Sequence, residues 1–182
     1  SEKGFARQKN AGWRAARFDV IAFTDADCIV PADWVEHIAR LFSERSVQAA
    51  AGDAFVPTGT GWLGRCIGAV GHPGGGSLGL QANMKSDTSE LDFMAGCNSV
   101  ITRDLLVQLH GYSSEFEQGG EDLDLSRRIR EAGHPIHYDP KIFLYHKPHE
   151  PLGHFCRWNM GVGVTRWSLH RPSLVGIIFY PW

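Results

Sequence analysis

Val20-Ile21-Ala22-Phe23-Thr24-Asp25-Ala26-Asp27 decides how this chain is read. Its first half is an uninterrupted apolar run with β-branched and aromatic members, which predicts a strand buried on both faces, as in a parallel sheet. Asp25 and Asp27 then fall at the strand's carboxyl end, where open α/β sheets bind ligands. Alternation along an extended backbone puts both carboxylates on one side, about 7 Å apart at Cα, with Ala26 facing away. Two hard oxygen donors so placed can share a divalent cation and the polyphosphate it carries. The competing reading is an ordinary Asp-rich turn.

Composition narrows the class. The 182 residues suffice for one packed domain with at most an appendage. Apolar and charged fractions of 43% and 21% are those of a folded globular chain. A formal charge of -2 argues against a nucleic-acid surface. Cys28, Cys66, Cys97 and Cys156 form no C-x-x-C pair and suit a reducing compartment. No signal peptide is visible, and the opening at Ser1, without Met, leads to the expectation of a fragment.

Outward from the opening stretch, Gly4 to Arg17 reads as a loop feeding a helix with Trp13 and Ala16 inward. Pro31 suits the first turn of a second helix, on which Trp34, Val35, Ile38, Leu41 and Phe42 make a buried stripe. A strand is expected over residues 47–56, so strand, helix and strand predict a parallel α/β unit. Between Gly61 and Asp87 the pattern dissolves. The glycine-rich His72-Pro73-Gly74-Gly75-Gly76-Ser77 matches no phosphate-loop motif, and a mobile loop or lid is expected. Helices are expected again at Asp104–Leu109 and from Glu121 to a stop at Gly133, and short strands at Ile136–Tyr138 and Ile142–Tyr145. Leu152 to His170 reads as helical. Leu174–Phe179 is too short to span a bilayer, although Tyr180 and Trp182 would suit a membrane interface.

Further residues carry chemistry. Asp122, Leu125, Ile129 and Ala132 share a helix face, so Asp122 heads an inward stripe at a helix N-terminus, as a functional carboxylate or as a cap. His146 ends a strand in parity with Ile142 and Leu144 and is a candidate third ligand beside Asp27, a set that suits manganese or magnesium. His134, His137, His146, His149, His154 and Cys156 raise a zinc reading, but their spacing matches no zinc template. Arg157 beside Trp158 could hold a diphosphate and face a sugar ring or base. An exposed Arg next to a buried Trp is the commoner meaning of such a pair.

Taken in order, these segments resemble family 2 glycosyltransferases of the GT-A fold. Gly4 through Lys9-Asn10-Ala11-Gly12 is similar to that family's G-x-x-x-x-R-N-x-G segment, with Lys9 for Arg. Phe23-Thr24-Asp25-Ala26-Asp27 resembles its D-x-D motif, and Phe93 to Arg103 its acceptor-side strand. Gly111-Tyr112 followed by Gly120-Glu121-Asp122-Leu123-Asp124-Leu125 resembles the G-F-D…G-E-D-x-D-L block, and Tyr138-Asp139-Pro140 leads to the usual terminal His146. The resemblance covers about residues 4–160. His154 stands where processive synthases have the Gln of Q-x-x-R-W, which weakens any claim of a polymerising enzyme.

The resemblance implies a mixed, mostly parallel α/β sheet flanked by helices and lacking the family's first strands, with a core over residues 1–160 and a terminal helix or membrane-proximal segment over 161–182. It implies inverting transfer of a sugar, of hexose type, from a nucleotide-diphosphate donor to a carbohydrate or lipid-linked acceptor, in cell-envelope polysaccharide assembly. By the same resemblance, Asp27 and His146 hold Mn²⁺ or Mg²⁺, and Asp25 meets the ribose or a water on the ion. Asp122 is the base, Glu121 binds the acceptor, and Lys9, Asn10, Arg157 and Trp158 contact substrate. No nucleic-acid partner is expected. The location implied is cytoplasmic, at the inner face of the membrane if the last segment associates with it. Two alternatives are a metal-dependent phosphoryl-transfer or hydrolytic enzyme built on the same carboxylates, and a non-catalytic partial domain.

Overall fold

The computed structural model describes residues 4–44, 46–69, 90–116, 119–148, 151–157 and 160. Helix α1 (Phe5–Ala15) turns Ala6, Asn10 and Trp13 inward at helical spacing. It ends where Ala16 becomes extended. The Arg103 guanidinium closes that end by donating to the carbonyls of Trp13, Ala16 and Phe18. Strand β1 (Val20–Thr24) follows, then the turn at Asp25–Asp27 and the short β2 (Cys28–Ile29). Strand β1 is not buried on both faces as its apolar run predicts: Ile21 and Phe23 are buried but Ala22 and Thr24 are exposed, because the strand lies at the edge of its sheet. Helix α2 (Trp34–Glu44) buries Trp34, Ile38 and Leu41, as its stripe predicts. Val35 departs from that stripe: it is 67% exposed, because the face that meets the sheet is narrower than the apolar run.

The strand expected over 47–56 is two strands, β3 (Ala49–Ala51) and β4 (Ala54–Phe55). Gly52 makes the break, since a Cβ there would overlap the Ile142 carbonyl oxygen. Helix α3 (Trp62–Ala69) occupies the start of the stretch where no regular structure is expected; the glycine-rich segment around Gly74–Gly76 lies outside the described residues. Strand β5 (Asn98–Thr102) leads into α4 (Arg103–Gln108), where Thr102 caps by accepting from Leu105 N–H. Helix α5 (Glu121–Glu131) begins after Gly120 in the left-handed region, φ 92°, and is followed by Gly133 at φ 83°. Strands β6 (Ile136–Tyr138) and β7 (Leu144–His146) close the set; Ile142 precedes β7 but is fully buried.

One sheet has the order β1-β5-β3-β6 and the other β2-β7-β4. β1, β3 and β6 run the same way, and β5 is inserted antiparallel between β1 and β3. The β1–α2–β3 crossover therefore keeps the expected direction, but its two strands are not neighbours, and more of the first sheet's pairings are antiparallel than parallel. Alternation in the alanine strand divides the core. Ala49 and Ala51 pack with Trp13, Leu105, Leu125 and Ile129 on one face, while Ala50 packs with Trp34, Ile38, Leu41 and Val100 on the other. The result is a sheet with helices on both sides.

Asn98 ties the two sheets together. It is fully buried, pairs with Thr24 in the ladder, accepts from Trp34 Nε1, and donates through Nδ2 to the carbonyls of Asp53 (2.9 Å) and Ile142 (2.8 Å). Those carbonyls lie just before β4 and β7, so one amide sets the end of β1 against the approach to β7.

Candidate active site

The turn after β1 and the end of β7 meet at the junction of the two sheets. Cys28 N–H donates to the Asp25 carbonyl, which tightens the turn, and Lys147 N–H donates to the Asp27 carbonyl. Cys28 is paired with His146 across β2 and β7. Both carboxylates of the motif therefore face the same ring. His146 Nε2 lies 3.5 Å from Asp25 Oδ2 and 3.6 Å from Asp27 Oδ1. The expected convergence of Asp25, Asp27 and His146 is present.

The opposite ring nitrogen determines how His146 can act. Nδ1 stands 2.8 Å from the Lys147 carbonyl, which can only accept, so Nδ1 carries a proton and Nε2 is the atom aimed at the carboxylates. Burial works against the imidazolium. The Asp25 hydrogen bond, the Cys28 sulfur and the Asp27 carboxylate outweigh it and hold His146 up at about 9. A pocket that strongly favours a proton on Nε2 is one that favours positive charge at that point.

The residues fit a hard divalent ion. Adjacent ligands of an octahedral ion with bonds of about 2.1 Å lie about 3 Å apart, so Asp27 and His146 need to close by little more than half an ångström. Two carboxylates and an imidazole that presents Nε2 supply oxygen and nitrogen donors of the right kind.

Asp122, in the first turn of α5, is half-buried and does not turn out into solvent. Its Oδ2 accepts from Gly96 N–H at 3.0 Å and its Oδ1 from Leu123 N–H at 2.8 Å. The inward stripe expected below it is kept at Leu125 and Ile129 and lost at Ala132, which is exposed near the end of the helix. Gly96 leaves room for the Lys9 ammonium: a Cβ there would collide with Lys9 Nζ and displace it, and would come within 3.4 Å of Asp122 Oδ2. The thiol of Cys97, next along the chain, is raised by donating to Cys28, by burial and by the charges of Asp25 and Asp122. Cys97 thus stands between the carboxylates of the strand turn and the carboxylate of α5. Its partner Cys28 is lowered to about 6, chiefly by that same hydrogen bond.

Lys9 and Glu121 are placed by each other. Lys9 Nζ meets Glu121 Oε1 at 2.7 Å, and the two side chains are only 14% and 6% exposed. Burial opposes the Lys9 ammonium, yet Tyr112, Glu121 and Asp122 raise its pKa overall; Glu121 is raised by burial against the pull of Lys9. Glu121 is expected on the resemblance to bind the acceptor, but in the structure its carboxylate is engaged by Lys9. Asn10 is buried as well. It donates to the Tyr112 carbonyl and accepts from Tyr112 N–H and Trp13 Nε1, which uses three of its four hydrogen-bonding positions on the fold. Asp124 is paired with Arg127 and Arg128, and Arg128 reaches the carbonyls of Leu109 and Gly111, so this acid anchors α5 to the turn before it.

Residues 152–157 are helical and Arg157 is exposed on them; Trp158 lies outside the described residues. Among the described residues, His134, His137, His154 and Cys156 join no ligand cluster, and the clusters present all include His146. Gly96, Cys28 and Cys97 belong to the site without having been singled out for it. Their sequence signals are that Cys28 abuts Asp27 and that Gly96-Cys97 lies within the Phe93–Arg103 segment matched to the family's acceptor-side strand.

A mixed sheet covered by helices, with two carboxylates after its edge strand β1 facing an imidazole from β7, is the arrangement expected of a GT-A-like α/β fold. The family described as "Glycosyltransferase like family 2" matches residues 1–160, and the chain belongs to it. A curated relative, the glycosyltransferase AglE of Haloferax volcanii, is 21% identical, the match covering 95% of this chain and 55% of the relative. Among solved structures, a mannosyltransferase of Pyrobaculum calidifontis, in complex with GDP-Man and Mn²⁺, superposes with TM-score 0.58 at 18% identity over 89% of this chain and 41% of that one. A mycobacterial protein does so with TM-score 0.56 at 19% identity, over 92% and 52%. The chain spans about half the length of these proteins.

Proposed function

We propose that this chain carries the donor-diphosphate and base elements of an inverting glycosyltransferase that moves a sugar from a nucleotide-diphosphate sugar to an acceptor hydroxyl. The observation that carries the reading is the approach of Asp25 and Asp27 to one nitrogen of His146, with Asp122 held by the neighbouring strand entrance. Asp27 and His146 would hold Mn²⁺ or Mg²⁺, which supplies charge neutralisation for a departing diphosphate. Asp25, on the same ring nitrogen as Asp27, takes the ribose edge of the donor or a water on the ion.

Asp122 accepts the proton of the acceptor hydroxyl. The hydroxyl oxygen forms a bond to the anomeric carbon from the face opposite the leaving group, the bond from that carbon to the diphosphate oxygen breaks, and the nucleoside diphosphate departs with the electron pair. Two N–H donors fix the orientation of the Asp122 carboxylate. Lys9 and Glu121, joined to each other, position the α5 N-terminus from the α1 side. Asn10 keeps α1 on the Tyr112 turn. Arg157 remains a candidate for the diphosphate.

A donor screen with UDP- and GDP-sugars and Mn²⁺ tests the class of reaction, with GDP-mannose the first compound because of the fold neighbour's complex. Sugar transfer is expected; release of phosphate without transfer would favour the phosphoryl-transfer alternative. Asp122→Asn is expected to lower transfer about 10²–10⁴-fold, the usual contribution of a general base, while donor affinity measured by calorimetry stays within about twofold. Equal loss of binding and turnover would refute the base assignment.

A further inference from the structure

Ser126 is out of place by local rules. It is fully buried in the middle of α5, where a serine hydroxyl ordinarily turns back on the carbonyl four residues earlier at some cost to the helix. Its hydroxyl does turn back, donating to the Asp122 carbonyl at 2.6 Å. The same oxygen also accepts from Met94 N–H at 3.1 Å, a donor outside the helix. Two residues along from Met94, Gly96 N–H donates to Asp122 Oδ2 at 3.0 Å. The chain from Met94 to Gly96 is thus fastened to α5 at two points, once through a neutral hydroxyl and once through the carboxylate itself. Residues 122 and 126 are one turn apart on one helix face, so both points lie on the same side of α5.

We propose that Ser126 is a positioning residue for Asp122: its hydroxyl fixes the register of the 94–96 segment on α5, and that register sets where Gly96 N–H meets the carboxylate. Only the link to turnover rests on the proposed function, in which Asp122 is the base; the tether does not. The carboxylate's other bond, from Leu123 N–H to Oδ1, comes from the next residue and moves with the helix, so it cannot aim Asp122 relative to the sheet. Gly96 N–H can. The turn that holds it, closed by Asn98 N–H donating to the Ala95 carbonyl, leads straight into β5. Met94 is buried in the same apolar cluster as Leu125 and Ile129, which holds the segment against the helix. Apolar contact is non-directional and tolerates a slide along the helix, whereas the Met94–Ser126 hydrogen bond does not. A slide of about an ångström at a reacting group is enough to cost as much as about 10²-fold in rate.

Ser126→Ala removes both bonds and supplies a better helix former, so the fold, checked by circular dichroism, is expected to survive. Turnover should fall about 10–100-fold while the donor KM stays within about twofold. In protein that already carries Asp122→Asn, the same change should alter turnover by less than about twofold, because no base is left to aim. The Gly96 amide proton, followed by nuclear magnetic resonance, should leave the downfield position of a proton bonded to a carboxylate and should exchange faster with solvent. Ser126→Cys, whose thiol bonds weakly, should show a smaller loss of the same kind, and it serves if the alanine variant does not fold. An equal loss in the Asp122→Asn background, a loss confined to KM, or an unmoved Gly96 amide would each overturn the assignment. Should the parent show no transfer, or Asp122→Asn transfer sugar as fast as the parent, the failure is that of the base reading, and the Gly96 amide alone decides the tether.

Discussion

Lys9 and Glu121 show what a buried charge demands of its neighbours. Neither side chain can be hydrated where it lies, so each depends on the 2.7 Å contact with the other. Such a pair adds little net stability compared with apolar residues of the same volume, but loss of one partner leaves an uncompensated charge. Glu121→Gln is therefore expected to cost about 3 kcal/mol, and Lys9→Gln a similar amount. The double variant should lose less than the sum, because its second change removes the orphan left by the first. Chemical denaturation of all four proteins checks this; strict additivity would show that the contact does not organise the site. The pair also holds its ammonium against the Gly96 backbone, next to the bond between Gly96 N–H and Asp122. Disturbing it should thus lower turnover before it alters donor binding.

Among the elements, β5 has more influence on the site than any residue that would touch substrate there. It separates β1 from β3, and its first residue, Asn98, bonds to the chain just before β4 and β7. Asn98→Ala would leave the Asp53 and Ile142 carbonyls without that donor in a fully buried setting. A cost of about 2 kcal/mol or more is expected. The local consequence is more specific: β7 should loosen from β2, and the amides of Leu144 to His146 should exchange hydrogen faster than those of β1. Uniform acceleration over the whole sheet would contradict the view that Asn98 acts at this junction.

For the molecule as a whole, an ion that binds the folded chain and not the unfolded one must stabilise it. At one hundred times its dissociation constant, Mn²⁺ should add about 2.7 kcal/mol. For a chain of this size that is a rise in Tm of roughly 5–10 °C. The rise should be absent in His146→Ala and much reduced in Asp27→Asn, and a chelator should reverse it in the parent protein. A rise of the same size in His146→Ala would place the ion elsewhere.

Much of this was legible before any coordinate. The strand at Val20–Thr24, the helix that starts at Glu121 and the terminal His146 follow from local pattern, because apolar periodicity, capping and glycine stops act over a few residues. Val35, the break at Gly52 and helix α3 were not legible. Each depends on what packs against it: the width of the sheet under α2, the Ile142 carbonyl opposite Gly52, and a short helix whose Trp62 stays 71% exposed.

The order of residues alone determined the family, the D-x-D carboxylates and the candidate base, since those are statements about which side chains exist and how local spacing orients them. Only the tertiary structure decided that Asp25 and Asp27 share one imidazole nitrogen, that Glu121 is spent on Lys9 and that two distant cysteines adjoin the same ring. Those are contacts between elements far apart in the chain, and their partners are chosen by strand order and by backbone approaches such as Gly52 and Gly96, which no local pattern encodes.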